Sequence, residues 1–310
     1  MQHRINNPLN YVYLTSVEHS GSTLISFLLG AHPKISTVGE FATDFPKNAL
    51  CSCNEKYERC SFWADWAARA QTENIYFDVG NLGINMKPEH GKGFFEDLFY
   101  YQFPWKVLDA IRELIFLFNA NRRRKAFHAV DRSLRLARIL CEKEGTNTFL
   151  DTTKNPLQIR FLSRHPGINL KVIALVRDGR AVMNSLLIKE KIYTPESAIA
   201  AWLYGNRNLE RAVSHYISPQ DVFRLRLEDL CNDPDVTLKS LFRFLNVDHN
   251  VKLDFSDRSR FHIVGNYMRH TFNGEVRRPD ESWKRQLSPE NLALFYAKAS
   301  KINKKYGYIS

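Results

Sequence analysis

The residues best suited to chemistry lie in two short polar stretches, each directly after an apolar run. The first is Ser20-Gly21-Ser22-Thr23. It combines backbone N–H groups, hydroxyls and the start of a helix, which together suit a bound phosphate or similar oxyanion. The Gly-Lys-Ser/Thr of a Walker A loop does not occur, and taken alone the loop reads as readily as a helix capped by Ser or Thr. The second stretch is Arg177-Asp178-Gly179-Arg180, with Ser185 eight residues beyond Arg177. An Arg at a strand end and a Ser on the next helix can clamp one phosphate by charge-assisted and hydroxyl hydrogen bonds. Arg-Asp pairs at strand ends are also commonly structural, so this reading stays open on the residues alone.

Such groups act only if regular elements hold them. Tyr11–Val17 is β-branched and aromatic and predicts a buried strand, followed by a helix over Leu24–Leu29 that Gly30 and His32-Pro33 stop. Strand signals return at Thr148–Leu150 and at Leu170–Val176, an unbroken apolar run of the kind buried in a parallel sheet. A helix is predicted from about Gly179, and Val222–Leu227 alternates as a strand. Strands separated by helices predict an α/β fold: a P-loop-like central parallel sheet flanked by helices, with right-handed crossovers and ligands at the carboxyl ends of the strands. Residues 45–145 differ in character. They are aromatic-rich and mostly helical by pattern, with Trp63, Trp66, Phe94, Phe95, Tyr100, Tyr101 and Trp105, and they carry the run Arg122–Lys125. This stretch reads as a helical insertion after the first βα unit, capping the core and shaping an acceptor pocket within a single domain of residues 1–310. The basic run reads as a solvated helix face.

The formal net charge of +11 over 310 residues favours an anionic partner but does not choose one. The basic side chains are dispersed and no RNA- or DNA-binding signature is present, which argues against nucleic acid. No run of about 18 apolar residues exists, and the cluster at Ile111–Phe118 is broken by Arg112 and Glu113, so no membrane span is expected. Met1–Asn10 lacks an apolar signal core, and the chain is read as cytoplasmic. Five cysteines do not suggest a disulfide framework at this length. Cys51, Cys53 and Cys60 crowd together, but C-x-C fits zinc spacing poorly, so they read as a knot of small packed side chains, with a disulfide or metal staple as the alternative.

The ordered set His19–Thr23, His32-Pro33, Val176–Ala181 and Ser185 resembles the sulfotransferase family. So do Arg226-Leu227-Glu228-Asp229-Leu230, Asp233-Pro234 and Leu241–Leu245. The resemblance covers residues 11–44 and 148–290, and its motif order is most similar to tyrosylprotein sulfotransferases and related bacterial enzymes. It implies that the donor is 3′-phosphoadenosine 5′-phosphosulfate (PAPS), leaving adenosine 3′,5′-bisphosphate (PAP). Ser20, Gly21, Ser22 and Thr23 would hold the 5′-phosphosulfate, and Arg177 with Ser185 the 3′-phosphate. His19 stands where the family usually has Lys or Arg. Glu40 matches the position of the catalytic base in the glutamate-using branch, where a carboxylate can take the proton from an attacking hydroxyl. Lys154, in Asp151-Thr-Thr-Lys154-Asn-Pro156, resembles the catalytic lysine that neutralises charge on the bridging oxygen and sulfuryl group.

Gly265–Arg269 and Val276–Trp283 resemble the segment that closes over the nucleotide, so Arg269, Arg277 or Arg278 would add to the 3′-phosphate site. No metal is required, because cations and N–H dipoles already hold the leaving phosphate. The acceptor is left open among small molecules, glycans and peptides, and a homo-oligomer is compatible with everything above. Two competing readings remain: a P-loop nucleoside-phosphate kinase, disfavoured by the missing Gly-Lys-Ser/Thr, and a non-catalytic polyanion-binding module.

Overall fold

β1 (Leu9–Ser16) is apolar on both faces because it lies at the centre of a sheet covered on each side. The computed structural model describes residues 7–42, 49–80, 82–84 and 106–308. Within them, β1, β2 (Ile35–Thr37), β3 (Thr148–Lys154), β4 (Ile168–Val176) and β5 (Val222–Arg226) form one sheet in the order β2-β3-β1-β4-β5. Every pairing is parallel. β2, only three residues long, was not signalled by sequence pattern. The other four strands fall where alternation and apolar runs predict them, within a few residues at each end.

The two-residue period of β1 divides the core. Tyr11 and Tyr13 face one apolar cluster with α2 (Ser61–Thr72), α4 (Ala120–Glu144) and α6 (Pro195–Tyr216). Val12 and Leu14 face another with α1 (Ser22–Gly30) and α7 (Pro234–Leu245). A third cluster joins α5 (Gly179–Lys189), α6 and α8 (Pro289–Lys305) around Trp202 and Phe295. Among the described residues the expected insertion contributes the helices α2, α3 (Lys106–Phe118) and α4, with turns and irregular chain at 49–60 and 73–80. Phe94, Phe95, Tyr100, Tyr101 and Trp105 lie outside the described residues. Trp63 and Trp66, within that stretch, are buried in the core, and Trp66 donates its indole N–H to the Leu136 carbonyl at 3.1 Å. No helix among the described residues is long and apolar enough to cross a membrane.

β3 carries the fold's main irregularity. Tyr13 pairs with Asp151, but Thr15 pairs with Lys154, so β3 has one residue more than β1 in this step. Such a bulge bends a strand and re-aims the side chains after it. Asp151, wholly buried, fixes the bend: it accepts from Thr153 N–H at 2.8 Å, from the Thr153 hydroxyl, and from Tyr11 Oη at 2.8 Å. Burial raises its carboxyl from 3.8 to about 6, against the lowering effect of these hydrogen bonds.

A raised carboxyl binds its proton more tightly in the native chain than in the unfolded one. Its stabilising contribution is therefore full below pH 3.8 and gone once the pH has risen through about 6. Asp151→Asn, which keeps an acceptor for Thr153, should flatten the stability profile between those values in urea titrations across pH. An unchanged slope would show that the carboxyl titrates normally.

Candidate active site

The loop between β1 and α1 turns on two residues in the left-handed region, His19 (φ 59°) and Gly21 (φ 96°). At Gly21 a Cβ would stand 2.6 Å from Leu227 Cδ1, so both backbone angle and space require glycine. α1 begins at Ser22, two residues earlier than its apolar pattern predicts, and no acidic residue occupies its first turn. Its free N–H groups and positive dipole end thus face the loop uncompensated. Ser20, Ser22 and Thr23 are all buried there. Thr23 Oγ1 accepts from Asn266 N–H at 3.3 Å, and a Cβ on Gly265 would collide with that oxygen at 2.7 Å.

His19 Nε2 lies 3.0 Å from Glu190 Oε1 at the end of α5. Burial lowers the imidazole below its ordinary 6.5 even though the Glu190 hydrogen bond opposes it. The Glu190 carboxylate can only accept, so Nε2–H donates to it.

The Arg177-Asp178-Gly179-Arg180 turn directs its two arginines to different partners. Arg177 Nη1 donates to the His19 carbonyl at 2.7 Å, and Nη2 lies 3.6 Å from the exposed Asp280. Its guanidinium thus ties the loop after β1 to the C-terminal segment. Arg180 pairs with Asp178, Nη2 to Oδ2 at 2.7 Å, and lies over the Trp283 ring at 4.2 Å. Asp178 caps α5 through Arg180 N–H and itself donates N–H to Glu228 Oε1 at 3.0 Å. Ser185 is buried on α5, two turns from that cap. Arg269 donates to the Gly265 carbonyl, holding the turn above Thr23, whereas Arg277 and Arg278 are exposed to solvent.

Glu40 and Lys154 meet across 114 positions of sequence: Lys154 Nζ lies 2.6 Å from Glu40 Oε1. Lys154 follows the β3 bulge with φ 75°, and its carbonyl accepts from Thr15 Oγ1 at 2.8 Å. Tyr13 Oη holds the next carbonyl, that of Asn155, at 2.7 Å. Glu40 follows Gly39 (φ 77°), whose carbonyl accepts from Thr152 N–H at 3.0 Å. Glu40 N–H donates to the Val264 carbonyl at 3.0 Å, and Val264 N–H to the Val38 carbonyl at 2.7 Å. A Cβ on Gly39 would stand 2.1 Å from that Val264 oxygen, so only glycine allows the close approach. Both charged side chains are mostly buried yet open at one side, 20% and 14% exposed, so a substrate can reach them.

Several contributors carried no sequence signal. Glu190 and Asp280, the partners of His19 and Arg177, are ordinary surface-type carboxylates in sequence. The segment Phe261–Gly265, which backs Glu40, follows a run without regular periodicity. Cys51, Cys53 and Cys60 do pack together as their spacing suggested, but they gather around His262, 202 positions beyond Cys60, which no spacing rule connects.

A sequence model of the sulfotransferase family matches residues 12–250. Of solved structures, the sulfotransferase domain of the Synechococcus PCC 7002 olefin synthase is 17% identical and superposes with a TM-score of 0.56, over 100% of this chain and 98% of that one. This likeness shows a shared fold. The sulfotransferase domain of the curacin biosynthetic pathway (16% identity, TM-score 0.47, 95% of this chain and 98% of that one) is more distant. A sulfotransferase from Mycobacterium tuberculosis H37Rv is also more distant (14% identity, TM-score 0.45, 96% and 76%). No sequence match to a curated protein adds to these relations. With the family match spanning most of the chain and the fold agreeing, this protein belongs to the sulfotransferase family and is an enzyme of that class.

Proposed function

We propose that this sulfotransferase takes PAPS as donor and moves its sulfuryl group to a hydroxyl or amine of a small-molecule, glycan or peptide acceptor. The observation that carries this reading is the Lys154–Glu40 contact at 2.6 Å, which sets a base and a cation side by side at the carboxyl ends of β2 and β3. The residues present fit the donor. Gly21 and the bare N-terminus of α1 form a cradle for one anionic end. Arg177 offers a guanidinium whose present carboxylate partner, Asp280, is exposed and 3.6 Å away. A phosphate with two or three oxygens would compete well for that fork.

Glu40 accepts the acceptor's proton as its oxygen or nitrogen bonds to sulfur. Lys154 leaves the carboxylate and stabilises the charge that gathers on the bridging oxygen as the sulfur–oxygen bond to the phosphate breaks. The products are the sulfated acceptor, PAP and a proton held on Glu40. His19, bound to Glu190, orients the loop through its backbone carbonyl on Arg177. Arg269 serves the Gly265 turn, leaving Arg277 and Arg278 as the arginines free to fold over the nucleotide.

With an accepted substrate in hand, Glu40→Gln should lower kcat by about 10²- to 10⁴-fold, the usual range for loss of a general base. Lys154→Ala should lower it by about 10²- to 10³-fold. Both variants should still bind PAP by calorimetry, and near-normal kcat in both would remove the mechanism. Separately, PAP should raise the thermal midpoint more than ADP at equal concentration, since only PAP places a phosphate on the 3′-oxygen of the ribose. Arg177→Lys, which keeps the charge but loses the fork, should narrow that difference. A shift from ADP equal to or above that from PAP would discard the donor assignment.

A further inference from the structure

Away from the Glu40–Lys154 pair, three thiols and an imidazole converge. Cys51, Cys53, Cys60 and His262 bring their ligand atoms within 4.8 Å of one another, the only such group among the described residues. His262 Nδ1 lies 3.4 Å from Cys51 Sγ and 3.5 Å from Cys60 Sγ, and Cys53 Sγ lies 3.6 Å from Cys60 Sγ. A tetrahedron with metal–sulfur bonds of about 2.3 Å and a metal–nitrogen bond of about 2.0 Å has edges of roughly 3.8 Å between sulfurs and 3.5 Å from sulfur to nitrogen. These three separations lie close to those edges, and the other three are within 4.8 Å. They are too long for a disulfide, whose sulfurs stand about 2.05 Å apart, and the cysteines are free.

A polar group already faces one of the sulfurs. Cys51 Sγ accepts from Trp63 Nε1–H at 3.4 Å. Cys60 stands at the N-cap of α2, beside the positive end of that helix. A donor on a ligating sulfur orients it as the outer partners of a bound metal do. The Phe62 ring stacks on His262 with centroids 3.9 Å apart and planes 11° apart, fixing the imidazole, and Lys143 Nζ lies 4.1 Å from the Phe62 centroid.

We infer that Cys51, Cys53, Cys60 and His262 form a closed structural site for one thiophilic divalent ion, zinc by its tetrahedral sulfur-and-nitrogen set. Four protein ligands leave no open position for substrate, so the ion is structural rather than catalytic. Binding releases three protons, one from each thiol, and leaves a site of net charge −1. The cross-link joins the turn around Cys51–Cys60 to the segment that backs Glu40. Ser52 Oγ already donates to the Phe261 carbonyl at 2.5 Å and accepts from Ile263 N–H at 2.7 Å. Val264, two residues from His262, holds Glu40 N–H.

The full chain, purified without chelator or affinity histidines from zinc-supplemented medium, should carry about one zinc per chain by elemental analysis. X-ray absorption should show three sulfurs at about 2.3 Å and one nitrogen at about 2.0 Å. A strong chelator should lower the thermal midpoint, and zinc but not magnesium should restore it. Cys53→Ser, at the least buried of the three thiols, should lose most of the metal, whereas Cys231→Ser should retain it. Because the wild-type stoichiometry needs no variant to fold, substoichiometric metal there overturns the inference, as does a Cys53–Cys60 disulfide found by mass spectrometry. These readouts do not depend on the donor or acceptor, so the site and the proposed reaction can fail separately.

Discussion

The structure depends on holding an ammonium and a carboxylate together at the rim of a buried parallel sheet. Each ion has given up much of its water, so each is stabilised by the other's charge, and removing one costs the charge that remains. The backbone must therefore deliver both side chains to one point. It does so from adjacent strands, with left-handed conformations at Gly39 and Lys154 and a bulge in β3 between them. Thr15 and Tyr13 on β1, Thr152 on β3 and Val264 from the C-terminal part of the chain hold the carbonyls and N–H groups that these turns release. Strain at two residues is thus offset by hydrogen bonds from three separate pieces of chain, a common arrangement where a site must be rigid before its ligand arrives.

The side proposed to hold the donor is built differently. Gly21 and the α1 terminus offer dipoles that need no counter-ion, whereas arginines do need one. Arg180 is satisfied permanently by Asp178 and by the faces of Trp283 and Tyr296, which makes it part of the α5 cap. Arg177, three positions earlier and directed at the loop, meets a backbone carbonyl and an exposed carboxylate among the described residues. Two arginines three positions apart in one motif therefore have opposite fates, decided by which face of the α5 entry each leaves from.

The segment at Phe261–Asn266 connects these sites. Its carbonyls and N–H groups touch Val38, Glu40, Ser52 and Thr23 in turn. It has no regular structure of its own to keep it extended. A metal at His262 would anchor it covalently to the turn before α2, so that stability of the cysteine knot and placement of Glu40 would be linked.

By itself the sequence determined the alternation of strands and helices, and with it a parallel sheet whose ligands sit at the carboxyl ends. Apolar runs such as Leu170–Val176 can only be buried on both faces, and Ser20–Thr23 is polar where the chain must turn into a helix. Its local polar stretches also pointed to Arg177 and the β1–α1 loop, and its resemblance to a family's motifs pointed to Glu40 and Lys154. What local pattern could not decide is partnership. Whether an arginine serves a ligand or a cap, whether His19 is charged, and whether Trp63 and Trp66 face an acceptor or a core depend on groups far away in the chain. The same holds for three cysteines completed by His262. Distances of a few ångströms between residues more than a hundred positions apart are set by the packing of the sheet and its covering helices, and only the folded chain specifies them.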